Sequence, residues 1–154
     1  MFQKILFCTD FSANSDCAFP YALSLARTYR AKLLIFHVDV EKTYYYFASP
    51  EARDKSSSKH ISSAVQNLIG RYGVKLGEFQ DFRYLAMESG EGEVSSKIIE
   101  TVLNEKVDLI VMGTRGRKGL SHLLLGSTAE NTVRNSPCPV LTIRMPQTGN
   151  SKES

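Results

Sequence analysis

The sequence predicts an α/β protein built on a single doubly wound, five-stranded parallel sheet. Three observations carry that reading. Short apolar runs recur along the chain, the runs are continuous rather than alternating, and amphipathic helical stretches separate them. A strand covered by helices on both faces has no solvent side, so it loses the alternation of a half-exposed strand.

The runs are Lys4–Thr9, Lys32–Val40, Val107–Met112 and Pro139–Arg144, with a weaker one at Asp81–Met87. Leu33-Leu34-Ile35-Phe36 and Leu109-Ile110-Val111-Met112 are the most continuous. Between them lie stripes at helical spacing: Ala18, Ala22, Leu25, Ala26 and Tyr29; Ile61, Ala64, Val65, Leu68 and Tyr72; Val94, Ile98, Ile99, Val102 and Leu103. Ser15 is the expected N-cap of the first helix, which leaves Pro20 just past the free N–H groups and predicts a bent first turn. Gly73 is placed to end the second helix in a left-handed cap. A last helix is expected from Ser127 to Asn135, stopped by Ser136-Pro137-Cys138-Pro139. Glu41–Ser58 and Pro146–Ser154 carry no clear pattern, so the domain is read as 1–145 and the tail 146–154 as frayed.

At 154 residues the chain is one domain, large enough to bury a core without disulfides or a structural metal. The formal charge of +3 is too small to imply nucleic acid. Cys8, Cys17 and Cys138 form no CxxC pair and leave one odd, which fits a reducing, cytoplasmic setting. The apolar run Ile5 to Cys8 is too short for a signal segment or a membrane span, so no membrane partner is expected.

In open α/β sheets ligands bind beyond the carboxyl ends of the strands, where strand order reverses. After the first strand comes Thr9-Asp10-Phe11-Ser12; after the fourth comes Gly113-Thr114-Arg115-Gly116-Arg117-Lys118-Gly119. Gly126-Ser127-Thr128 arrives just before the last helix. Glycines let backbone amides approach an anion, and a helix N-terminus adds free N–H donors and a favourable dipole. Ser127 and Thr128 bring hydroxyl donors, with Ser127 also a possible N-cap, while Arg115, Arg117 and Lys118 raise the local potential. Each feature alone is better read as a plain turn or a cap. Together they suit a polyphosphate and leave its identity open. Neither a P-loop GxxxxGK followed by Ser or Thr nor a GxGxxG after the first strand is present.

The run Gly113-Thr114-Arg115-Gly116, nine residues, then Gly126-Ser127 fits the G-2x-G-9x-G-S/T pattern of ATP-binding universal stress proteins at every fixed position. The flanks Val107-Asp108 and Ser136-Pro137-Cys138-Pro139-Val140-Leu141 resemble that family, as do the opening Ile5-Leu6-Phe7-Cys8-Thr9-Asp10-Phe11-Ser12 and the strand Leu34-Ile35-Phe36-His37-Val38. The resemblance implies a Rossmann-like sheet of the adenine nucleotide alpha hydrolase type with strand order 3-2-1-4-5. It implies ATP as ligand, in a stress-response regulatory module, with Mg²⁺ or Mn²⁺ held mainly by the phosphates. Carried over by position, Thr9 and Asp10 lie by the sugar and the Val38 backbone meets the adenine edge. Gly113 lies near the ribose, and Gly116, Gly126, Ser127 and Thr128 hold the phosphates; Met112 before the motif is counted with the nucleotide-binding residues, and Arg115, at a position variable in the family, is added as a phosphate contact. Cys8 stands where the family commonly has proline. The family's last strands pair across a two-fold axis, so Val140, Leu141, Thr142 and Ile143, an apolar edge without a charged guard, imply a homodimer.

His37, His60 and His122 lack metal-ligand spacing, and His37 is read as a packed core residue. Glu88, Glu91 and Glu93 are read as acids complementing a helix N-terminus, and Cys17 as a small helix residue rather than a reactive thiol. Tyr44–Phe47 is open between a lid or partner surface and a packed connection. No motif pins a group that positions water or takes its proton, so no catalytic residue is assigned. A slow ATP hydrolase or a nucleotidyl or phosphoryl transferase is the alternative, and a structural dimerisation protein without ligand is the second.

Overall fold

The computed structural model describes residues 1–40, 50–89, 94–115 and 125–146, with backbone alone for 50–61. The elements run β1 (Lys4–Cys8), α1 (Ala13–Tyr29), β2 (Lys32–Asp39), α2 (Pro50–Leu76), β3 (Phe82–Glu88), α3 (Val94–Glu105), β4 (Leu109–Gly113), α4 (Ser127–Asn135) and β5 (Val140–Ile143). The strands form one five-stranded sheet in the order β3-β2-β1-β4-β5, every pairing parallel. This is the predicted architecture and strand order.

The continuous apolar runs have a direct explanation in the two cores. Ile5, Phe7, Leu33, Ile35, Leu109 and Val111 point to the face covered by α1 and α2, where they meet Ala18, Phe19, Ala22, Leu68, Tyr72 and Leu76. Their neighbours Leu6, Cys8, Leu34, Phe36, Ile110 and Met112 point to the other face, beside Ile98 and Val102 of α3 and Ala129 of α4. Full burial of a Leu, Ile or Phe side chain contributes roughly 1.5–3 kcal/mol, so both halves of each central strand add to stability. The edge strands β3 and β5 are only half-buried along most of their length.

Several local expectations are corrected. The N-cap of α1 is Ser12, whose hydroxyl accepts from the Ser15 amide, and Pro20 lies inside the helix beyond its first turn. Ser15 is not the cap, because its own hydroxyl is drawn into the loop that follows β1. Gly73 does not end α2; the helix continues to Leu76 and the left-handed residue is Gly77, at φ 57. Leu68, Tyr72 and Leu76 explain the extra turn, since they follow each other at one-turn spacing and all are buried. At its other end α2 begins at Pro50, so the second half of the segment expected to lack structure is helical. Tyr44–Phe47 lies outside the described residues.

On α3 the buried face is Ser95, Ile98, Thr101 and Val102, while Leu103 of the predicted stripe is 61% exposed. Thr101 is tolerated inside because its hydroxyl donates to the Lys97 carbonyl at 2.9 Å and to the Met87 sulfur at 3.1 Å. The bounds of α4 agree with expectation.

Candidate functional site

β1 lies between β2 and β4, with the chain leaving β1 toward β2 on one side and returning to β4 on the other. Strand order reverses there, the place where open α/β sheets hold ligands, and Thr9 and Thr114 follow the carboxyl ends of these two paired strands.

The loop after β1 is held from several directions. The Thr9 amide donates to the Phe36 carbonyl at 2.9 Å, and the Thr9 carbonyl lies 2.8 Å from Nδ1 of buried His37. A carbonyl only accepts, so His37 carries its proton on Nδ1 in this contact. The hydrogen-bonded core reading of His37 therefore holds. Asp10 Oδ1 accepts from the Ser12 amide and the Ser15 hydroxyl, each at 3.0 Å. Phe11, between them, has φ 64, a left-handed conformation rare for a bulky residue, and its ring stands 4.4 Å from the His37 ring.

The end of β4 is equally specific. A Cβ on Gly113 would stand 2.8 Å from the Asn14 carbonyl oxygen, so only glycine lets β4 pass under the first turn of α1. Thr114 joins three elements: its amide donates to Ile143 of β5 at 3.0 Å, and its carbonyl accepts from the Gly126 amide at 2.6 Å. Its hydroxyl is different. The residue is 6% exposed, and Oγ1 has no hydrogen-bond partner among the described residues. Arg115 is half-buried, while Gly116, Arg117 and Lys118 lie outside the described residues, as do Glu91, Glu93 and His122.

At α4 the expectation for Ser127 is corrected. The N-cap is Gly126, at φ −70 and ψ 162, with no side-chain cap bond. Ser127 is the first helical residue and is exposed, and Thr128 is half-buried. Because Gly126 has no side chain to turn back on the helix, the amides of Ser127, Thr128 and Ala129 have no acceptor within α4. Thr114, tied to Gly126, sits at the foot of this uncapped end. Val38 and Met112 are buried in β2 and β4, their side chains packed in the core shared with α3 and α4.

The structure thus brings Thr9, Asp10, Met112, Gly113 and Arg115 to the carboxyl edge of adjacent strands, with Gly126, Ser127 and Thr128 joined to it through Thr114. It also adds residues that sequence reasoning passed over. Thr9 Oγ1 lies 2.6 Å from the Tyr72 hydroxyl and 3.0 Å from the Ser15 hydroxyl. Tyr72 in turn donates to Asp16 Oδ1 at 2.8 Å, and Arg71 grips both oxygens of Asp16. The Arg71 hydrogen bonds hold the Asp16 carboxyl below the usual carboxylate range, assisted by the Tyr72 hydroxyl and opposed by burial. Burial pushes the Tyr72 hydroxyl well above its ordinary value. Tyr72 read as core because its ring packs on Phe7 and Phe19, at 5.3 and 4.8 Å between centroids. The signal in the sequence was only that a tyrosine, rather than a phenylalanine, occupies a fully buried helical position. Thr114 carried a plainer signal, since it sits inside the glycine motif.

Burial likewise pushes the Cys8 thiol far above its ordinary range, so the residue standing in the proline position behaves as a small apolar side chain. Among the described residues no cluster of His, Cys, Asp and Glu could hold a metal ion, and no helix is long and apolar enough to cross a membrane.

Comparison with known proteins agrees with this architecture. The chain is 29% identical over 153 residues to a universal stress protein of Methanocaldococcus jannaschii, spanning 96% of this chain and 85% of that one. Its fold is similar to that of the universal stress protein UspA from Lactobacillus plantarum, with a TM-score of 0.72, 22% identity, and 93% and 98% of the two chains covered. A universal stress protein solved in complex with cAMP is similar at a TM-score of 0.65 and 23% identity, over 92% of this chain and 97% of that one. The model of the family described as the universal stress protein family matches residues 1–144, and the chain belongs to that family.

Proposed function

We propose that this chain is a regulatory module that binds an adenine nucleotide, ATP, in the crevice between the carboxyl ends of β1 and β4. One observation carries the reading: a helix N-terminus without a side-chain cap and a buried hydroxyl with no partner among the described residues meet there. A buried hydroxyl without a partner costs roughly 1–3 kcal/mol, which a ligand oxygen would recover. Amides at a helix start offer an anion both hydrogen bonds and a favourable dipole. A polyphosphate satisfies both features at once.

In this reading Thr9 and Asp10 meet the sugar, the Val38 backbone meets the adenine edge, and Met112 and Gly113 form the wall beneath the ribose. Ser127 and Thr128 donate to the phosphates, with Gly116 giving backbone access and Arg115 positive charge. Gly126 serves differently, because its amide is already bonded to Thr114; it contributes an N-cap with no side chain in the way. Mg²⁺ or Mn²⁺ would ride on the phosphates and keep most of its waters. A protein of this fold solved with cAMP agrees with an adenine nucleotide as the ligand class.

The same reading includes a homodimer through β5, which is the edge strand of the sheet among the described residues and carries Val140, Leu141, Thr142 and Ile143. Mass spectrometry of the purified protein tests the ligand by asking which nucleotide accompanies it. Titration calorimetry with ATP, AMP, cyclic AMP and GTP then ranks affinities. If no adenine nucleotide binds at saturating concentration, the reading fails. Sedimentation equilibrium tests the dimer; a monomer at every concentration removes that part alone.

A further inference from the structure

The polar line from α2 to the loop after β1 has a direction that its hydrogen count imposes. At neutral pH Asp16 is a carboxylate and only accepts, so the single Tyr72 hydroxyl proton is committed to Asp16 Oδ1 at 2.8 Å. The 2.6 Å contact between Tyr72 and Thr9 then needs a proton from Thr9. Thr9 Oγ1 accepts from the Phe11 amide at 3.0 Å and has its second acceptor position toward Ser15, also at 3.0 Å. The Ser15 proton has a choice. It faces Thr9 Oγ1, Asp10 Oδ1 at 3.0 Å and the Ser12 carbonyl at 2.9 Å, with the Ser12 hydroxyl farther off at 3.4 Å.

We infer that Tyr72 and Asp16 are positioning residues for nucleotide recognition, acting through the Thr9 and Ser15 hydroxyls on the carboxylate of Asp10. This rests on the reading of Asp10 as the sugar-binding group. When a sugar hydroxyl donates to Asp10, the Ser15 proton turns to Thr9 and completes an unbroken line, Ser15 to Thr9 to Tyr72 to Asp16. Hydrogen bonds aligned in one direction polarise each other and strengthen. The far end of the line is the Asp16–Arg71 pair that ties α1 to α2. Occupancy of the sugar site therefore tightens that tie, and the tie in turn favours occupancy.

Two substitutions reverse the line without touching the nucleotide. Tyr72→Phe keeps the ring packed on Phe7 and Phe19 and removes the proton acceptor for Thr9. The Thr9 proton then turns to Ser15, and the Ser15 proton is held on Asp10, which becomes a poorer acceptor for a sugar. Asp16→Asn offers an amide N–H to Tyr72 and turns each proton the same way.

Calorimetry with ATP, 2′-deoxy-ATP and 3′-deoxy-ATP reads the effect, with thermal melts confirming that each variant is folded. Both variants should bind ATP roughly threefold to tenfold more weakly, the range expected for one hydrogen bond. They should leave unchanged the affinity for whichever deoxy form lacks the Asp10 contact. Adding Tyr72→Phe to Asp10→Asn should weaken ATP no further. Equal weakening of all three ligands, or none, overturns the relay, because a merely structural role does not distinguish sugars. A nucleotide-free measurement separates this from failure of the site itself: the Ser12 amide shares Asp10 Oδ1, and its proton resonance should move upfield in Tyr72→Phe. An unmoved resonance overturns the relay. A moved resonance in a protein whose ATP affinity ignores Asp10→Asn overturns instead the assignment of Asp10 to the sugar, and the inference with it.

Discussion

A Cβ on Gly113 would stand 2.8 Å from the carbonyl oxygen and 2.9 Å from the carbonyl carbon of Asn14. The end of β4 and the first turn of α1 are thus in backbone contact at the carboxyl edge of the sheet. The glycine that opens the motif is needed by the fold itself, whatever else it meets.

Gly113→Ala should destabilise the protein by about 1–3 kcal/mol, the usual range for overpacking against atoms that cannot move aside. Urea denaturation reads the loss. Backbone resonances of residues 12–15 should shift more than those of α4. A fully stable Gly113→Ala protein would contradict the contact.

Gly73 and Gly77 make an internal control for where α2 ends. Gly77 has φ 57, so Gly77→Ala should cost about 1–2 kcal/mol in a conformation hostile to a Cβ. Gly73 lies within the helix, and an added Cβ would meet its nearest neighbour, the Tyr84 hydroxyl, at an ordinary 3.6 Å. Gly73→Ala should therefore stabilise by about 0.5–1 kcal/mol through helix propensity. Opposite signs in denaturation midpoints are expected, and the reverse signs would place the cap at Gly73.

Thr114→Val separates ligand binding from folding. Replacing a buried hydroxyl that has no partner among the described residues with a methyl removes a desolvation penalty, so stability should hold or rise by up to about 1 kcal/mol. Affinity for ATP should fall roughly tenfold in calorimetry, the loss of one good hydrogen bond to a charged oxygen. Unchanged affinity would remove the Thr114 hydroxyl from the site.

The Asp16–Tyr72 contact predicts opposite behaviour at the two ends of the pH scale. Asp16 titrates below its ordinary value of 3.8 when folded, chiefly because of the Arg71 hydrogen bonds. Its contribution is complete above about pH 4 and is lost as pH falls through the folded value. Tyr72 titrates above its ordinary 10.0, chiefly because of burial. Its contribution is complete below about pH 10 and declines as pH rises further, since the unfolded chain ionises first. Urea midpoints should therefore fall less on acidification in Asp16→Asn than in the natural protein. They should fall less on alkalinisation in Tyr72→Phe, and parallel curves would deny both shifts.

How much of this was legible in the sequence follows from the range of the forces involved. Apolar continuity and helical spacing are local, so β1 to β5 and the bounds of α4 could be read directly, whereas the strand order was implied by the family resemblance. The glycine spacing pointed to the crevice for the same reason, because a strand, a bare loop and a helix start are written in order along the chain. The helix ends at Ser12 and Gly77 were misplaced, since competing candidates a few residues away carry the same local chemistry. Ser12 wins over Ser15 because the Ser15 hydroxyl is engaged by Asp10 and the Ser12 carbonyl. Gly77 wins over Gly73 because Leu76 has a core to enter.

What the chain determined alone was the five strands and the helical stripes, though not where α2 begins, and that a glycine-rich stretch follows β4 as a carboxylate follows β1. What only folding decided was which hydroxyls meet. Tyr72 finds Asp16 and Thr9 across 56 and 63 residues of sequence, and Thr114 is left with none among the described residues. Hydrogen bonds reach about 3 Å and require alignment, so only the packed tertiary structure brings such groups within range.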